Sequence, residues 1–394
     1  MSDYNVKDFG GSVEEAVAAC TRAGGGRVVI PDGRWKTRGP VRFCSRMELH
    51  LESGAVLEFS DRFEDYLPVV FTRHEGIECY NYSPLIYADG CEHVSITGKG
   101  TLIGNGQKWW EWTKKTTCAT GALRNAEADG IPPEKRVYGT EEAALRPYFV
   151  EFVRCRDVLM EDFTIIDGPM WTLHPLYCEN VVVRGVKVHT QGPNTDGCNP
   201  DSCRNVLIEN CVFDTGDDCI AINSGISEDG WRVGIPCENI EIRGCVMNGG
   251  HGAVAIGSGM SGGVRNVWAH DCIVNKTMWG IRIKSIQGRG GFVEDVRFEN
   301  FQMSHIERQA IQVTMYYEYS SVPGRSETPP DFRNIVIRNV TGSSDQTGLF
   351  VRGIPDHPIH DLTLENVRLT AASEVCSVSS IDNLTLKNAE LLHA

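Results

Sequence analysis

The stretch Val206-Leu-Ile-Glu-Asn210-Cys-Val-Phe213 places an aliphatic residue at Val206, a second apolar residue two positions on at Ile208, Asn210 at four and Cys211 at five. Apolar residues at period two are the mark of a strand with one buried face. Asn210 interrupts the alternation with a residue that tolerates the left-handed backbone conformation. The segment therefore reads as strand, sharp bend, strand. Nine further copies are anchored at Val94, Val158, Val181, Ile240, Val267, Val296, Ile335, Leu362 and Leu384. Their bend position, four on, holds Gly98, Asp162, Gly185, Gly244, Asp271, Asn300, Asn339, Asn366 and Asn388. The position after it is apolar in every copy but one, where it is Lys99.

From Val158 onward the anchors lie 22 (Leu362 to Leu384) to 39 (Val296 to Ile335) residues apart. That interval suits one coil of a solenoid, in which no single repeat can bury its apolar face and each needs a stacked neighbour. The Leu-x-x-Leu-x-Leu signature of leucine-rich repeats is absent, and a propeller blade would need four strands per repeat. The sequence predicts an all-β chain folded as a right-handed parallel β-helix, the hand following from the preference for right-handed crossovers. Cys211, Cys245 and Cys272 share one column of the repeat and are expected to stack as small interior hydrophobes.

The remaining composition agrees. The chain has 394 residues with 41 Gly and 15 Cys, and 52 acidic against 38 basic side chains give a net charge of −14. This balance argues against a nucleic-acid-binding surface, and no apolar run is long enough to span a bilayer. Residues 1–394 are expected to form a single β-helical unit. Within 1–30, Ser12-Val-Glu-Glu15 is a capping box that opens a helix with Val13, Ala16, Val17 and Cys20 on one side. Such a helix would cap the first coil and shield its edge. Residues 108–147 interrupt the repeat and are expected to wall a cleft. The start, Met1-Ser-Asp-Tyr-Asn-Val-Lys7, has no apolar core of a secretory signal, so the expected location is cytoplasmic with reduced thiols, or secreted if a signal has been removed.

Four consecutive coils carry the polar residues of interest. Aligning Asn194-Thr-Asp196-Gly-Cys198 with Cys219–Asn223, Ala253–Gly257 and Gly280–Lys284 gives an outward column Asp196, Ala221, Ala255, Arg282. With stacked strands about 4.8 Å apart, Asp196 and Arg282 are expected roughly 14 Å apart across a trough. Asp217 and Asp218 would join Asp196 at one end, His251 would stand in the middle, and Arg282 and Lys284 would stand at the other end. Clustered carboxylates repel, so at least one is expected to keep a proton near neutrality, which is equipment for glycosidic cleavage. Arg and Lys facing them would hold a substrate carboxylate. An isolated Asp-Asp after Gly is usually a solvated turn, and an isolated His after Gly-Gly is usually structural. The coincidence in neighbouring coils outweighs those readings. Clustered Asp oxygens also suit calcium.

Asn194-Thr-Asp-Gly197, Gly216-Asp-Asp218, Gly250-His-Gly252 and Arg282-Ile-Lys284 resemble, in order, the four motifs of the polygalacturonases, glycoside hydrolase family 28. Gly257-Ser-Gly-Met-Ser-Gly-Gly-Val-Arg265 and Gly288-Arg-Gly-Gly291 resemble bacterial exo-acting members. The resemblance implies inverting hydrolysis of α-1,4-galacturonosidic bonds in polygalacturonate or its oligomers, with exo action expected. It makes Asp217 the general acid, with Asp196 and Asp218 positioning and deprotonating the water. His251 would tune the acid, Arg282 and Lys284 would bind the galacturonate carboxylate, and Asn194 would orient the sugar. A substrate-contacting Tyr is expected at Tyr316 or Tyr317, within Met315-Tyr-Tyr-Glu-Tyr319. No cofactor and no metal is implied; the expected partner is a pectic oligosaccharide or polysaccharide, with neither nucleic acid nor membrane. A rhamnogalacturonan- or xylogalacturonan-directed hydrolase, a calcium-dependent β-helical lyase and a noncatalytic sugar-binding β-helix are the competing readings. His174 either contacts sugar or fills the interior.

Overall fold

The computed structural model describes residues 1–318 and 326–394. Tyr319, the last residue of the tyrosine-rich stretch, lies outside the described residues. The chain winds as a right-handed parallel β-helix, and all ten anchors fall in one continuous register: Val94, Val158, Val181, Val206, Ile240, Val267, Val296, Ile335, Leu362 and Leu384 are successive partners. Every one of the ten bend residues has positive φ, from 49° at Asn388 to 100° at Gly98. The bend is why apolar residues on both sides of it face inward. The stack starts earlier than the repeat suggests, because Met47–Leu51 pairs with Glu92–Gly98, and Gly26–Ile30 pairs with Met47–Leu51.

Side chains reinforce the bends. From Asn300 to Asn388 each bend asparagine donates its Nδ2 to the bend residue of the preceding coil: Asn300 to Asp271 at 2.8 Å, Asn339 to Asn300 at 3.0 Å, Asn366 to Asn339 at 3.0 Å and Asn388 to Asn366 at 2.9 Å. A second ladder occupies the position just before each anchor, running Asp157, Asn180, Asn205, Asn239, Asn266, again with positive φ. It marks a second bend per coil.

The interior is a column of aliphatic, aromatic and cysteine side chains. Cys211, Cys245 and Cys272 are buried in it. A further cysteine column, Cys91, Cys155, Cys178, Cys203 and Cys237, stands three residues before successive anchors and is also buried. At the N-terminus, helix Val13–Arg22 is capped by Ser12, whose Oγ accepts the Glu15 N–H at 3.2 Å, and it buries Val13, Ala16 and Cys20 against the first coils. No helix among the described residues is long and apolar enough to cross a membrane.

A lobe stands beside the coils that carry the four motifs. Helix Thr117–Ala128 belongs to the interruption, but hairpin Val70–His74/Ile77–Asn81 and helix Ser227–Val233 are additional parts of it. Buried charges hold the lobe together. Arg136 Nη1 donates to both carboxylate oxygens of Asp229 at 2.9 Å, and Arg73 Nη1 in the hairpin donates to Asp201 Oδ1 at 2.9 Å. Burial works against each of these charges, and the partner, with further hydrogen bonds such as Arg73 to Ser202 and Glu78 N–H to Asp229, offsets it.

Candidate active site

One parallel sheet forms the floor. Ile220–Ile222, Gly252–Ile256, Trp279–Lys284 and Gln309–Thr314 pair in parallel, with Ala221, Ala255, Arg282 and Gln312 in one outward row. The coil before them has no regular strand. It joins the sheet through isolated bridges, Cys198 to Ile220 and Asp201 to Asn223. Asn199 is therefore the neighbour of Ala221, and Asp196 aligns with Asp218. The expected alignment had slipped by three positions, because a coil made of turns offers no alternation to count.

That slip corrects the layout of the trough. Asp196, Asp217 and Asp218 each offer a carboxylate oxygen, and these oxygens lie within 4.8 Å of one another. The side-chain tips of Arg282 and Lys284 do not keep to the opposite end of the trough. Lys284 Nζ donates to Asp218 Oδ2 at 2.7 Å, and Arg282 Nη1 lies 3.9 Å from Asp218 Oδ1. Both long side chains, on the strand Trp279–Lys284, reach back across two alanines that leave the space open. His251 stands beside the cluster, its Nδ1 2.9 Å from Asp217 Oδ1.

Backbone geometry explains the glycines of Gly250-His-Gly252. Gly250 has φ +96°, a conformation that L side chains rarely adopt. A Cβ on Gly252 would lie 2.8 Å from Asp218 Oδ1, the oxygen to which the Gly252 N–H donates at 2.6 Å. Asp217 Oδ1 accepts the Asp218 N–H at 2.8 Å. Asp196 Oδ2 accepts from Asn199 Nδ2 at 2.8 Å. Asp196 and Asp218 are buried, while the Asp217 side chain keeps 18% of its surface exposed toward the cavity.

Charge sorts the cluster. Burial, with the charges of Asp217 and Asp218 added, pushes the Asp196 carboxyl well above the usual carboxylate range. Burial acts in the same direction on Asp218, but Lys284 and Arg282 outweigh it and hold that carboxyl below the usual range. The hydrogen bond to Asp217 raises the His251 imidazole above its ordinary value, against an opposing effect of burial. Asp196 is thus the member that holds a proton most readily, and Asp218 is the settled anion.

These groups line a cavity of about 550 Å³, within the range of small-ligand sites. Asn194 lines it as well, its Oδ1 held by Arg146 Nη2 at 2.7 Å. Trp279 carries the Arg282 guanidinium on its ring, 3.6 Å from the centroid. Tyr316 corrects an expectation. Its ring packs on Arg352 and it is not among the residues lining the cavity. Tyr317 lines it instead, because its N–H bonds Ser285 O at 3.0 Å and brings its ring 5.1 Å from Lys284 Nζ. His174 neither lines the cavity nor enters the helix interior: it is wholly buried between its coil and the hairpin, 3.1 Å from Glu151 and packed against Tyr148 and Trp171.

The three carboxylates are the single cluster among the described residues that could hold a metal ion. Both oxygens of Asp218 are engaged, one by an ammonium and one by a backbone N–H. A calcium ion there would have to displace Lys284, so the donor set fits that ion poorly.

The sequence profile described as "Glycosyl hydrolases family 28" matches residues 134–390. The chain belongs to glycosyl hydrolases family 28. A probable polygalacturonase of Vitis vinifera is 30% identical to this family 28 chain over 95% of it and 72% of the relative's length. An exo-poly-alpha-D-galacturonosidase of Dickeya chrysanthemi is 27% identical over 98% of the chain and 70% of its own length. Among solved structures, a hyperthermoactive exopolygalacturonase from Thermotoga maritima superposes with a TM-score of 0.90 at 35% identity, covering 98% of this chain and 92% of the other. The family 28 fold is the right-handed parallel β-helix described above, and the chain is a glycoside hydrolase. Sequence reasoning missed Trp171, Trp279 and Arg308 in the cavity lining. Trp279 was within reach, because it opens the strand that ends in Arg282-Ile-Lys284.

Proposed function

We propose that the chain hydrolyses α-1,4-galacturonosidic bonds with inversion, releasing units from the end of oligogalacturonates or polygalacturonate. The observation that carries this reading is the meeting of three carboxylates with Arg282 and Lys284 on one cavity wall. A cation pair facing a carboxylate cluster suits a substrate that is itself a carboxylate at the bond to be cleaved. Asp217, the most accessible of the three, protonates the leaving glycosidic oxygen. Asp196 and Asp218 hold and deprotonate the attacking water. Burial and the neighbouring carboxylates raise Asp196, which makes it the member of the cluster readiest to take a proton from the water. Acid and base in inverting enzymes commonly stand about 6.5–9.5 Å apart. The tighter cluster here makes the anomeric outcome the informative measurement.

Exo action is supported by the lobe, which contributes Glu75, Gly76 and Arg124 to the cavity wall. The names of the Dickeya chrysanthemi and Thermotoga maritima proteins support it as well. The fifteen cysteines, none of them disulfide-bonded, suit a reducing compartment, and the reading places the enzyme in the cytoplasm on short oligomers. The test is product analysis. Trigalacturonate and polygalacturonate, with rhamnogalacturonan and xylogalacturonan as comparisons, are digested and the products followed by chromatography and proton NMR. Monogalacturonate from the start, first seen as the β-anomer, supports the reading. A ladder of internal fragments removes exo action, an α-anomer removes inversion, and a preference for another polymer removes the substrate.

A further inference from the structure

Away from the catalytic cavity, the solenoid carries a smaller hollow on the face that lies between the two bends of each coil. Its volume is about 300 Å³, at the small end of ligand sites. Trp268 and Arg297 line it as register partners on the adjacent strands Val264–Asn275 and Phe292–Ile306. Val336, the partner of Arg297 in the following coil, is short and leaves the space open. Trp268 is 42% exposed, yet its ring is fixed. His270 stacks on it with centroids 4.0 Å apart, and the indole Nε1 donates to Glu299 Oε2 at 3.0 Å. His270 is itself held by Asp271 at 2.6 Å and does not line the hollow, which therefore lies against the uncovered part of the indole.

The guanidiniums around the hollow are paired except one. Arg265 holds Glu238 at 2.7 Å, Arg333 holds Glu294, and Arg338 holds Glu365 at 3.0 Å. Among the described residues, Arg297 makes neither a hydrogen bond nor an ion pair. The amide ladder through Asn180, Asn205, Asn239 and Asn266 also stops here. Its next rung is Asp295, whose carboxylate has no hydrogen to donate. Among the described residues, Asn266 Oδ1 therefore receives no bond, while Asp295 accepts from Asn334 in the coil beyond. Together these groups complement a sugar acid. The electron-rich face of an indole suits the C–H face of a pyranose. An unpaired guanidinium suits a carboxylate, and the acceptors on Asn266 and Asp295 suit hydroxyl donors.

We propose that Trp268 and Arg297 form a noncatalytic binding site for a galacturonate unit of the substrate chain, on a different sheet of the solenoid from the one that floors the cavity. The inference rests on the galacturonan reading of the active site. Strand Val264–Asn275 leads directly into Trp279–Lys284, so the two sites share a coil. A chain held at the hollow stays beside the enzyme, which raises its effective concentration at the cavity.

The experiment labels the Asp217→Asn enzyme, chosen so that sugar binds without turnover, with fluorotryptophan and titrates it with trigalacturonate under fluorine NMR. Trp268→Phe identifies the Trp268 resonance, and Trp171→Phe and Trp279→Phe identify those of the cavity. The Trp268 resonance should move saturably with the trimer. Arg297 is exposed and unpaired, so Arg297→Gln leaves the fold intact. It should raise the midpoint of the Trp268 movement by about 10- to 100-fold, the range for losing hydrogen bonds to a charged group. The midpoint of the cavity resonances should stay where it was. A carboxyl-reduced trimer should bind at the hollow equally weakly with and without Arg297→Gln. Movement of the cavity resonances alone, or a Trp268 midpoint unchanged by Arg297→Gln, overturns the site. A Trp268 resonance that moves with enzyme concentration and not with sugar assigns the face to a second copy of the chain, and overturns it as well. If no resonance moves with the trimer, the galacturonan reading of the cavity itself is overturned.

Discussion

Lys284 Nζ and Asp218 Oδ2 meet at 2.7 Å, both side chains buried, although 66 residues separate them in the chain. The pair joins the last of the four motifs to the second. It also determines which carboxylate of the cluster stays ionised. Removing Lys284 leaves a buried anion beside two other carboxyl groups. Lys284→Gln should cost about 3–5 kcal/mol of stability, as broken buried pairs do, and should abolish most hydrolysis. The carboxyl of Asp218 is depressed in the folded state, so its contribution is present above the unfolded value and is lost as pH falls through the folded one. The difference in denaturant midpoint between Lys284→Gln and the unaltered enzyme should therefore be full at pH 6 and shrink as pH drops below about 4. A difference independent of pH would deny the pair its role.

Asp217 is the accessible carboxylate and the partner of His251. Asp217→Asn should reduce kcat by about 10²- to 10⁴-fold, the usual worth of general acid catalysis, with an unchanged melting temperature and retained oligogalacturonate binding by calorimetry. An enzyme that keeps its kcat would move the acid role elsewhere in the cluster.

His251 has a raised imidazole, so its positive charge persists to higher pH than usual and disappears as pH rises through that value. Loss of the charge next to Asp217 should produce the alkaline limb of the kcat profile. His251→Gln should lower kcat by roughly tenfold and flatten that limb while leaving the acidic limb in place. An alkaline limb identical in the variant would assign it to another group.

Lys284 stands where a cation would have to bind Asp218. Dialysis against a chelator should leave hydrolysis within about twofold of the untreated rate, and the products should show no ultraviolet absorbance from a new double bond. Loss of activity reversed by calcium would support the lyase alternative.

Asn339 holds φ at +53° and stands in the middle of its ladder, donating to Asn300 and accepting from Asn366. Asn339→Ala should destabilise by about 1–2 kcal/mol, because alanine pays for the left-handed conformation and the ladder is cut. Asn339→Gly, which tolerates the conformation, should lose less. Thermal unfolding of the two variants gives the order.

Much of the fold could be read in one dimension because a solenoid repeats its environment. Each anchor meets the same neighbours above and below, so the pattern at Val206–Phe213 recurs with its bend. The second ladder was equally visible, as Asn or Asp immediately before Val181, Val206, Ile240 and Val267. So was the cysteine column three residues ahead of the anchors. Both needed only a longer window. The hairpin Val70–Asn81 was not visible as part of the site, since its place is set by the pair of Arg73 with Asp201, 128 residues away.

The site divides in the same way. Sequence alone determined which residue types meet: periodic strands bring Asp196, Asp217, Asp218, His251, Arg282 and Lys284 to consecutive coils on one face. Only the tertiary structure decided their distances and charges. A coil of turns, Asn194 to Asp201, carries no alternation from which to count register, so Asp196 came to lie beside Asp218 and not beside Ala221. Arg282 and Lys284 have side chains longer than the spacing between strands, and they reach back to the acids instead of standing opposite them. Whether Tyr316 or Tyr317 faces the cavity turned on one backbone hydrogen bond to Ser285. Local pattern is set by neighbours along the chain, whereas ionisation is set by burial and by charges that only the wound chain brings together.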